Sequence, residues 1–140
     1  MIIVSACLLG ENCKYSGGNN YNEDVIRYLE GKAYLPVCPE IEGGLSTPRP
    51  PAEIQDGRVV DKEGKDVTAA FLKGAEITLS LAQKHAASLC ILKANSPSCG
   101  CGRIYDGTFS GKGIPGNGKT ASLLLKNGFQ VITEEDLKRD

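Results

Sequence analysis

Tryptophan is absent from this 140-residue chain, histidine and methionine each occur once, and aromatic residues make up only 6% of it. So few aromatic side chains argue against an extended surface for stacking nucleic-acid bases. The formal net charge is −1 at pH 7, so no overall positive charge favours nucleic acid or anionic membranes. No apolar run approaches the roughly 18 residues that a membrane helix needs, and the apolar segment 1–9 lacks the basic start of a secretory signal. We therefore expect a cytoplasmic protein.

Cysteine is the residue type that stands out, because the chain has six. A disulfide framework needs an oxidising compartment and is typical of small domains with little core, and neither condition fits a cytoplasmic chain of this length. Reduced thiols leave three alternatives: buried apolar side chains, a metal or cluster site, or a redox or nucleophilic centre. The only histidine, His85, lies beside Lys84 near the end of a predicted helix, which gives a Cys–His catalytic pair little support.

Hydrophobic patterning predicts strands that alternate with helices. Short apolar runs predict four buried strands, at 2–4, 33–37, 89–92 and 129–132. Apolar residues at helical spacing predict helices at 23–30, 68–86 and 122–126, and a last helical turn at 134–138. Asp56-Gly57 predicts a β-hairpin between residues 53–55 and 58–60. This order favours one α/β domain over residues 1–140, with three layers, a mostly parallel sheet of about four strands and a small inserted hairpin.

Three of the cysteines follow predicted strands. Cys7 comes after the first strand, Cys38 after the second, and Cys99 a few residues after the third. The carboxyl ends of parallel strands meet at one edge of a sheet, where ligands usually bind, so we expect these three thiols to converge. Cys90 lies inside the third strand, where an inert buried thiol is the better interpretation. Cys13, in the same loop as Cys7, is open to a role as a fourth ligand or a sulfur carrier.

Two kinds of metal site fit converging thiols. Structural zinc takes four ligands, typically from two close cysteine pairs, and Cys99-Gly100-Cys101 has a spacing unlike the usual zinc knuckle. An iron–sulfur cluster accepts dispersed thiolates, and with three protein ligands one iron keeps an open position that binds substrate as a Lewis acid. The residues alone leave two functions open: a cluster-dependent enzyme, or a non-catalytic cysteine-rich zinc protein with a structural or sensor role.

Polar residues beside these thiols are candidates for chemistry. Glu40 closely follows the second of the three thiols and is a candidate for proton transfer, the alternative being a solvated loop acid. Asn95, Ser96 and Ser98 precede the last of the three and offer hydrogen bonds to a polar heterocycle or to cluster sulfides. Their alternative role is to shape a turn that contains proline.

The segment 113–120 matches the P-loop pattern G-x-x-x-x-G-K-[ST] of nucleotide-binding proteins. A P-loop needs a buried strand directly before it, whereas residues 107–112 are polar and rich in glycine. We therefore expect no nucleotide site there, and interpret the glycine-rich stretch 111–120 as a lid over the site that leads into a helix.

Four motifs, in order along the chain, resemble those of one bacterial family. They are SACLLG at 5–10, CKYSG at 13–17, CPE at 38–40 with GGL at 43–45 and PR at 48–49, and SPSCG at 96–100. The family is known as domain of unknown function 523 and contains the thiouracil and thiouridine desulfidases. The resemblance covers nearly the whole chain and implies a Rossmann-like α/β domain with a [4Fe-4S] cluster bound by three cysteines.

By motif, the cluster ligands that the resemblance implies are Cys7, Cys38 and Cys99. The implied reaction is removal of sulfur from a thiolated pyrimidine and its replacement by water, with no net redox change. The cluster is expected to be lost easily during aerobic purification. On this interpretation Glu40 moves the protons while the polar residues of 95–98 orient the ring. The substrate classes that stay open are a free thiolated base, a nucleoside, and thiouridine within tRNA.

Overall fold

The computed structural model describes residues 1–137. The strands of this part are β1 (Ile2–Ser5), β2 (Tyr34–Val37), β3 (Ala52–Gln55), β4 (Arg58–Asp61), β5 (Leu89–Leu92), β6 (Arg103–Tyr105), β7 (Gly113–Pro115) and β8 (Val131–Thr133). Its α-helices are α1 (Glu23–Leu29), α2 (Pro39–Glu42), α3 (Thr68–Lys84) and α4 (Lys119–Lys126), and its 3₁₀ helices are Ala6–Leu9 and Glu134–Leu137. None of these helices is long and apolar enough to cross a membrane.

Four of the strands form a parallel sheet in the order β2-β1-β5-β8. The two central strands, β1 and β5, are buried along their whole length, as expected for strands with helices on both faces. The chain passes from β1 to β2 and later crosses to β5 on the other side of β1, so the winding reverses between β1 and β5. In open α/β sheets, ligands bind at the carboxyl ends of the strands at such a point. The topology therefore places a binding site just beyond Ser5 and Leu92.

Alternate residues of β1 pack on opposite faces of the sheet. Ile3 is fully buried with Ala82 of α3 and Leu124 of α4, whereas Val4 is fully buried with Val25 of α1. Full burial of a large apolar side chain of this kind contributes about 1.5–3 kcal/mol. The result is three layers, with α1 on one face and both α3 and α4 on the other, which confirms the predicted fold class.

Local signals set the limits of the helices. The Asn22 side chain accepts a hydrogen bond of 3.1 Å from the amide of Val25 and caps α1. Helix α4 begins at Lys119, before its predicted start, because its first amides bind carbonyl groups of another loop, as described below. The predicted helical turn 134–138 is a 3₁₀ helix, and its last residue lies outside the described residues.

Two antiparallel hairpins stand apart from the parallel sheet. The predicted hairpin pairs β3 with β4 and turns at Asp56-Gly57, where both φ angles are positive (48° and 81°), as a type I′ turn requires. The hydrophobic pattern does not predict the other, β6 with β7, because each of its strands has only three residues and the connection 106–112 is polar. This second hairpin takes up residues 113–115 of the stretch interpreted as a lid.

Helices α2 and α3 approach each other through their backbones at two glycines. A Cβ added to Gly74 of α3 would lie 1.9 Å from the carbonyl oxygen of Pro39, and one added to Gly43 would lie 2.0 Å from that of Ala70. Only glycine permits so close an approach. The contact therefore fixes α2, and with it the N-cap residue Cys38, against the long helix.

Candidate functional site

A cavity of about 430 Å³ lies at the carboxyl ends of β1, β2 and β5. Four cysteines line it: Cys7, Cys13, Cys38 and Cys99. Cys7 lies in the 3₁₀ helix after β1, Cys38 lies between β2 and α2, and Cys99 lies in the loop after β5. The three cysteines that the topology predicts to converge are thus neighbours of one cavity, and Cys13 joins them.

The Cys13 side chain lies between Cys7 and Cys38, close enough to affect the pKa of both thiols, and Cys38 Sγ also donates to the Cys13 carbonyl oxygen at 3.9 Å. Its single S–H can be donated to either sulfur, and this donor lowers the pKa of Cys7 and lowers that of Cys38 to about 7. The same side-chain interactions, together with burial, hold the pKa of Cys13 well above its usual range, so Cys13 stays a thiol. The thiolate form, which binds metals, is therefore easier to reach at Cys7 and Cys38 than at an ordinary cysteine.

Cys99 is held differently from the other three. It is buried, and burial raises the pKa of its thiol to about 12. The Ser5 hydroxyl donates to Cys99 Sγ at 3.6 Å and accepts from the amide of Lys93 at 3.0 Å, which joins the ends of β1 and β5. A neutral thiol must release its proton to ligate a metal, so metal binding at Cys99 is coupled to proton release.

A buried ion pair orders the loop that carries Glu40. The Arg49 guanidinium contacts the Glu40 carboxylate through Nη2, and only 7% and 20% of the two side chains are exposed. The same nitrogen donates to the carbonyl oxygen of Cys13 at 3.0 Å, and Nη1 donates to that of Ser46 at 3.1 Å. Glu40 lines the cavity. Arg49 belongs to the PR motif at 48–49, but the sequence assigns it no role in the site.

The predicted ring-binding residues all lie in the loop after β5, but only some of them line the cavity. Asn95 and Ser96 line the cavity, whereas Ser98 does not. Ser96 Oγ accepts hydrogen bonds of 3.0 Å from the amides of Ser98 and Cys99, which fixes the turn. The buried Ser98 hydroxyl lies 2.8 Å from that of Thr120 and accepts from Cys99 Sγ at 3.8 Å, so it contacts a cysteine of the site but does not line the cavity.

The P-loop-like segment supports the same loop. At the start of α4, the amides of Lys119 and Thr120 each donate at 2.8 Å, to the carbonyl oxygens of Pro97 and Ser98. These amides are the groups that a P-loop offers to phosphate, and here they bind protein. The Lys119 amino group likewise donates to the carbonyl oxygen of Gly57 at 2.6 Å. Within the predicted lid 111–120, the only residue that lines the cavity is its first, glycine.

Three residues that the sequence analysis considers, Cys90, Cys101 and His85, lie outside the cavity. Cys90 is fully buried within β5, and burial raises the pKa of its thiol to about 11, in agreement with an inert role. Cys101 is partly buried, and its Sγ lies 3.8 Å from the carbonyl oxygen of Val131. His85 is the C-cap of α3.

The donor set suits an iron–sulfur cluster. Thiolates are the usual protein ligands of such clusters, and here four thiols line one cavity while the pKa values of two of them, Cys7 and Cys38, are lowered. Within residues 1–137, no group of three or more His, Cys, Asp or Glu side chains is arranged to hold a single metal ion. The observation in favour of a cluster is that four thiols from three separate loops line the same cavity.

Comparison with known proteins identifies relatives over almost the whole chain. Residues 2–136 match the model of a family described as 2-thiouracil desulfurase. A solved structure described as the [4Fe-4S]-dependent thiouracil desulfidase TudS is similar with a TM-score of 0.91 and 48% identity, over 97% of this chain and 91% of that one. The Bacillus subtilis (strain 168) protein YbbK, described as uncharacterized, is 46% identical over an alignment 147 positions long, which covers 98% of this chain and 97% of YbbK.

Proposed function

The chain belongs to the 2-thiouracil desulfurase family, and we propose that it is a [4Fe-4S]-dependent desulfidase acting on a thiolated pyrimidine. The observation that carries this proposal is the convergence, on one cavity, of cluster-type thiols with a carboxylate and polar side chains. In the overall reaction a thiocarbonyl and water become a carbonyl and hydrogen sulfide. No electrons are gained or lost, so no external oxidant or reductant is needed.

We assign the cluster ligands to Cys7, Cys38 and Cys99. The thiolate character of Cys7 and Cys38 supports two of these assignments, and the position of Cys99 on the same cavity supports the third. When bound, such a cluster supplies an iron with an open coordination position, which binds and polarises a thiocarbonyl sulfur. Cys13 would then serve as a hydrogen-bond donor to one of the two neighbouring ligand sulfurs, and donors of this kind tune a cluster.

Glu40 is the proposed proton-transfer group. Its carboxylate lines the cavity, and the ion pair with Arg49 holds it in one place. An ionised carboxylate only accepts hydrogen bonds, so it is suited to orient a water molecule and take its proton as the oxygen attacks the ring carbon. The same group then returns the proton to the departing sulfur.

Asn95 and Ser96 are the proposed contacts to the ring edge. A pyrimidine edge carries both hydrogen-bond donors and acceptors, and a side-chain amide offers both in return. Ser98 acts through its position, because its hydroxyl holds α4 against the loop that carries Asn95 and Ser96.

The substrate that we propose is a small molecule, a thiolated base or its nucleoside. Thiouridine within tRNA is a larger alternative that the net charge of −1 does not favour, since RNA binding usually depends on positive charge. We place the reaction in the cytoplasm, where the six free cysteines stay reduced.

The test of this function is sulfide release by protein whose cluster has been reconstituted without oxygen. Incubation with 2- or 4-thiouracil, or with their nucleosides, should yield equal amounts of sulfide and of the oxygenated ring. Cys101→Ser, which changes a thiol outside the cavity, is the matched control and should keep both cluster and activity. If cluster-loaded protein releases no sulfide from any thiolated base, nucleoside or tRNA, the desulfidase function is wrong.

A further inference from the structure

A buried carboxylate holds the loop between β6 and β7 against the cavity. Glu53 of β3 is 8% exposed and lines the cavity. Its Oε1 accepts hydrogen bonds from the amides of Gly107 at 2.9 Å and Phe109 at 3.1 Å. Gln55, two positions further along β3, donates to the carbonyl oxygen of Gly107 at 2.7 Å. Two side chains of one strand thus fix one short loop.

The loop is held in a conformation that it would not adopt freely. Phe109 has a φ of 57°, in the left-handed region that residues other than glycine seldom occupy. Gly107 also has positive φ, and a Cβ there would lie 2.8 Å from the carbonyl oxygen of Ile54. Backbone conformations of this kind persist where the surrounding contacts enforce them, and they are found most often at binding and active sites. Here the hydrogen bond from the Phe109 amide to Glu53 offsets the strain.

The fixed loop gives the cavity an aromatic wall. Phe109 and Tyr105 line the same cavity as the cysteines and Glu40. Phe109 is partly buried and Tyr105 is 36% exposed, so both rings keep surface that a ligand can cover. A pyrimidine is flat, and stacking of a base on an aromatic side chain is a general means of binding it.

We propose that Phe109 stacks on the ring of the thiolated pyrimidine and that Glu53 is the positioning residue that holds Phe109 in place. The inference rests on the proposed function for the identity of the ring. It adds a residue that selects a planar aromatic substrate, separate from the groups that bind and replace its sulfur.

Binding of uracil, the oxygenated product, tests the stacking role without turnover. Equilibrium dialysis of cluster-loaded protein should show uracil binding weakened by about 5- to 100-fold in Phe109→Ala and restored in Phe109→Tyr, which keeps a ring. Tyr34→Ala removes an aromatic ring outside the cavity, on an edge strand, and should leave binding unchanged. Equal binding by the wild type and Phe109→Ala, or no uracil binding by the wild type, would overturn the stacking role.

Amide hydrogen exchange in the cluster-free protein tests the positioning role. Glu53→Ala removes the acceptor, so exchange at the amides of Gly107 and Phe109 should accelerate, whereas Glu53→Gln keeps an acceptor oxygen and should protect both. Uracil affinity should follow the same order. Glu53→Asp, whose shorter side chain withdraws the carboxylate, is a milder variant with the same expected direction if Glu53→Ala does not fold. Wild-type exchange rates at both amides in Glu53→Asp or Glu53→Ala would show that Glu53 does not hold the loop.

The two proposals fail in distinguishable ways. Uracil binding that depends on Phe109 in a protein that releases no sulfide would support the stacking role and refute the proposed reaction. Sulfide release with a KM that Phe109→Ala leaves unchanged would support the reaction and refute the stacking role.

Discussion

Arg49 joins two parts of the site through a single nitrogen, because its Nη2 contacts the Glu40 carboxylate and also donates to the carbonyl oxygen of Cys13. These two contacts fix Glu40, the proposed proton-transfer group, to the loop that carries Cys13. The Arg49 side chain is only 7% exposed, so its charge is compensated mainly by Glu40 rather than by water.

Arg49→Met is expected to lower the free energy of unfolding of the cluster-free protein by about 3–5 kcal/mol, because it leaves the Glu40 carboxylate without its partner. Urea unfolding measures this change. Arg49→Lys keeps the charge but not the forked donor and should recover only part of the loss. In the control Arg58→Met, the ion pair with Asp66 is exposed (75% and 48%), so its loss should leave the free energy of unfolding nearly unchanged. Similar losses in the two methionine variants would argue against a special role for Arg49.

Glu40→Gln should keep the absorbance spectrum of the cluster, because Glu40 is not among the proposed ligands. Turnover should fall by about 10²–10⁴-fold, the usual contribution of a general acid–base group. Glu42→Gln alters the exposed acid at the end of the same helix, outside the cavity, and should leave turnover unchanged. Wild-type rates in Glu40→Gln would remove Glu40 from the mechanism and leave the cluster assignment intact.

The reactivity of Cys38 should depend on Cys13. Because the pKa of Cys38 is lowered to about 7, alkylation of the cluster-free, reduced protein should reach half its maximum rate at Cys38 near that pH. Cys13→Ala removes the donor, so the pKa should rise and the half-maximum should move to higher pH. Mass spectrometry after iodoacetamide labelling reads each site. Cys90, whose pKa burial raises to about 11, should stay unlabelled near neutral pH. A half-maximum that does not move in Cys13→Ala would exclude the hydrogen bond.

Gly74→Ala should push α2 away from α3, since the added Cβ would lie 1.9 Å from the Pro39 carbonyl oxygen. Overpacking of this kind costs about 1–3 kcal/mol. The shift also moves Cys38 and Glu40, so the iron content after reconstitution should fall together with the unfolding free energy. In Gly18→Ala the added Cβ meets one hydroxyl oxygen at 3.5 Å, and both quantities should stay near wild type. Unchanged stability in Gly74→Ala would mean that the helices do not touch there.

The parallel sheet could be predicted because each of its strands is recognisable from a short stretch of sequence. Each strand is a short apolar run, and the alternation of such runs with helices dictates parallel direction. The shared edge of Cys7, Cys38 and Cys99 follows from that topology, since each thiol comes after a strand. The family, the α/β fold and the [4Fe-4S]-dependent desulfidase function inferred from the motifs are confirmed by the family match and by the similarity to TudS.

The remaining parts of the site depend on contacts between distant segments, which local patterns do not encode. Ser98 precedes Cys99 in sequence, yet its hydroxyl contacts Thr120 and Cys99 Sγ and does not line the cavity, because the start of α4 packs behind the loop. The bonds from the 107–109 loop to Glu53 likewise join residues more than 50 positions apart. Gly74 is the exception, because a glycine inside a helical pattern is itself a signal of close backbone approach.

The desulfidase assignment depends most directly on one quantity, the iron and acid-labile sulfide bound per chain after anaerobic reconstitution. We expect about four of each, with the cluster lost in Cys7→Ser, Cys38→Ser and Cys99→Ser and retained in Cys101→Ser. Stoichiometric zinc without sulfide in the wild type would contradict the assignment and favour a cysteine-rich zinc protein instead.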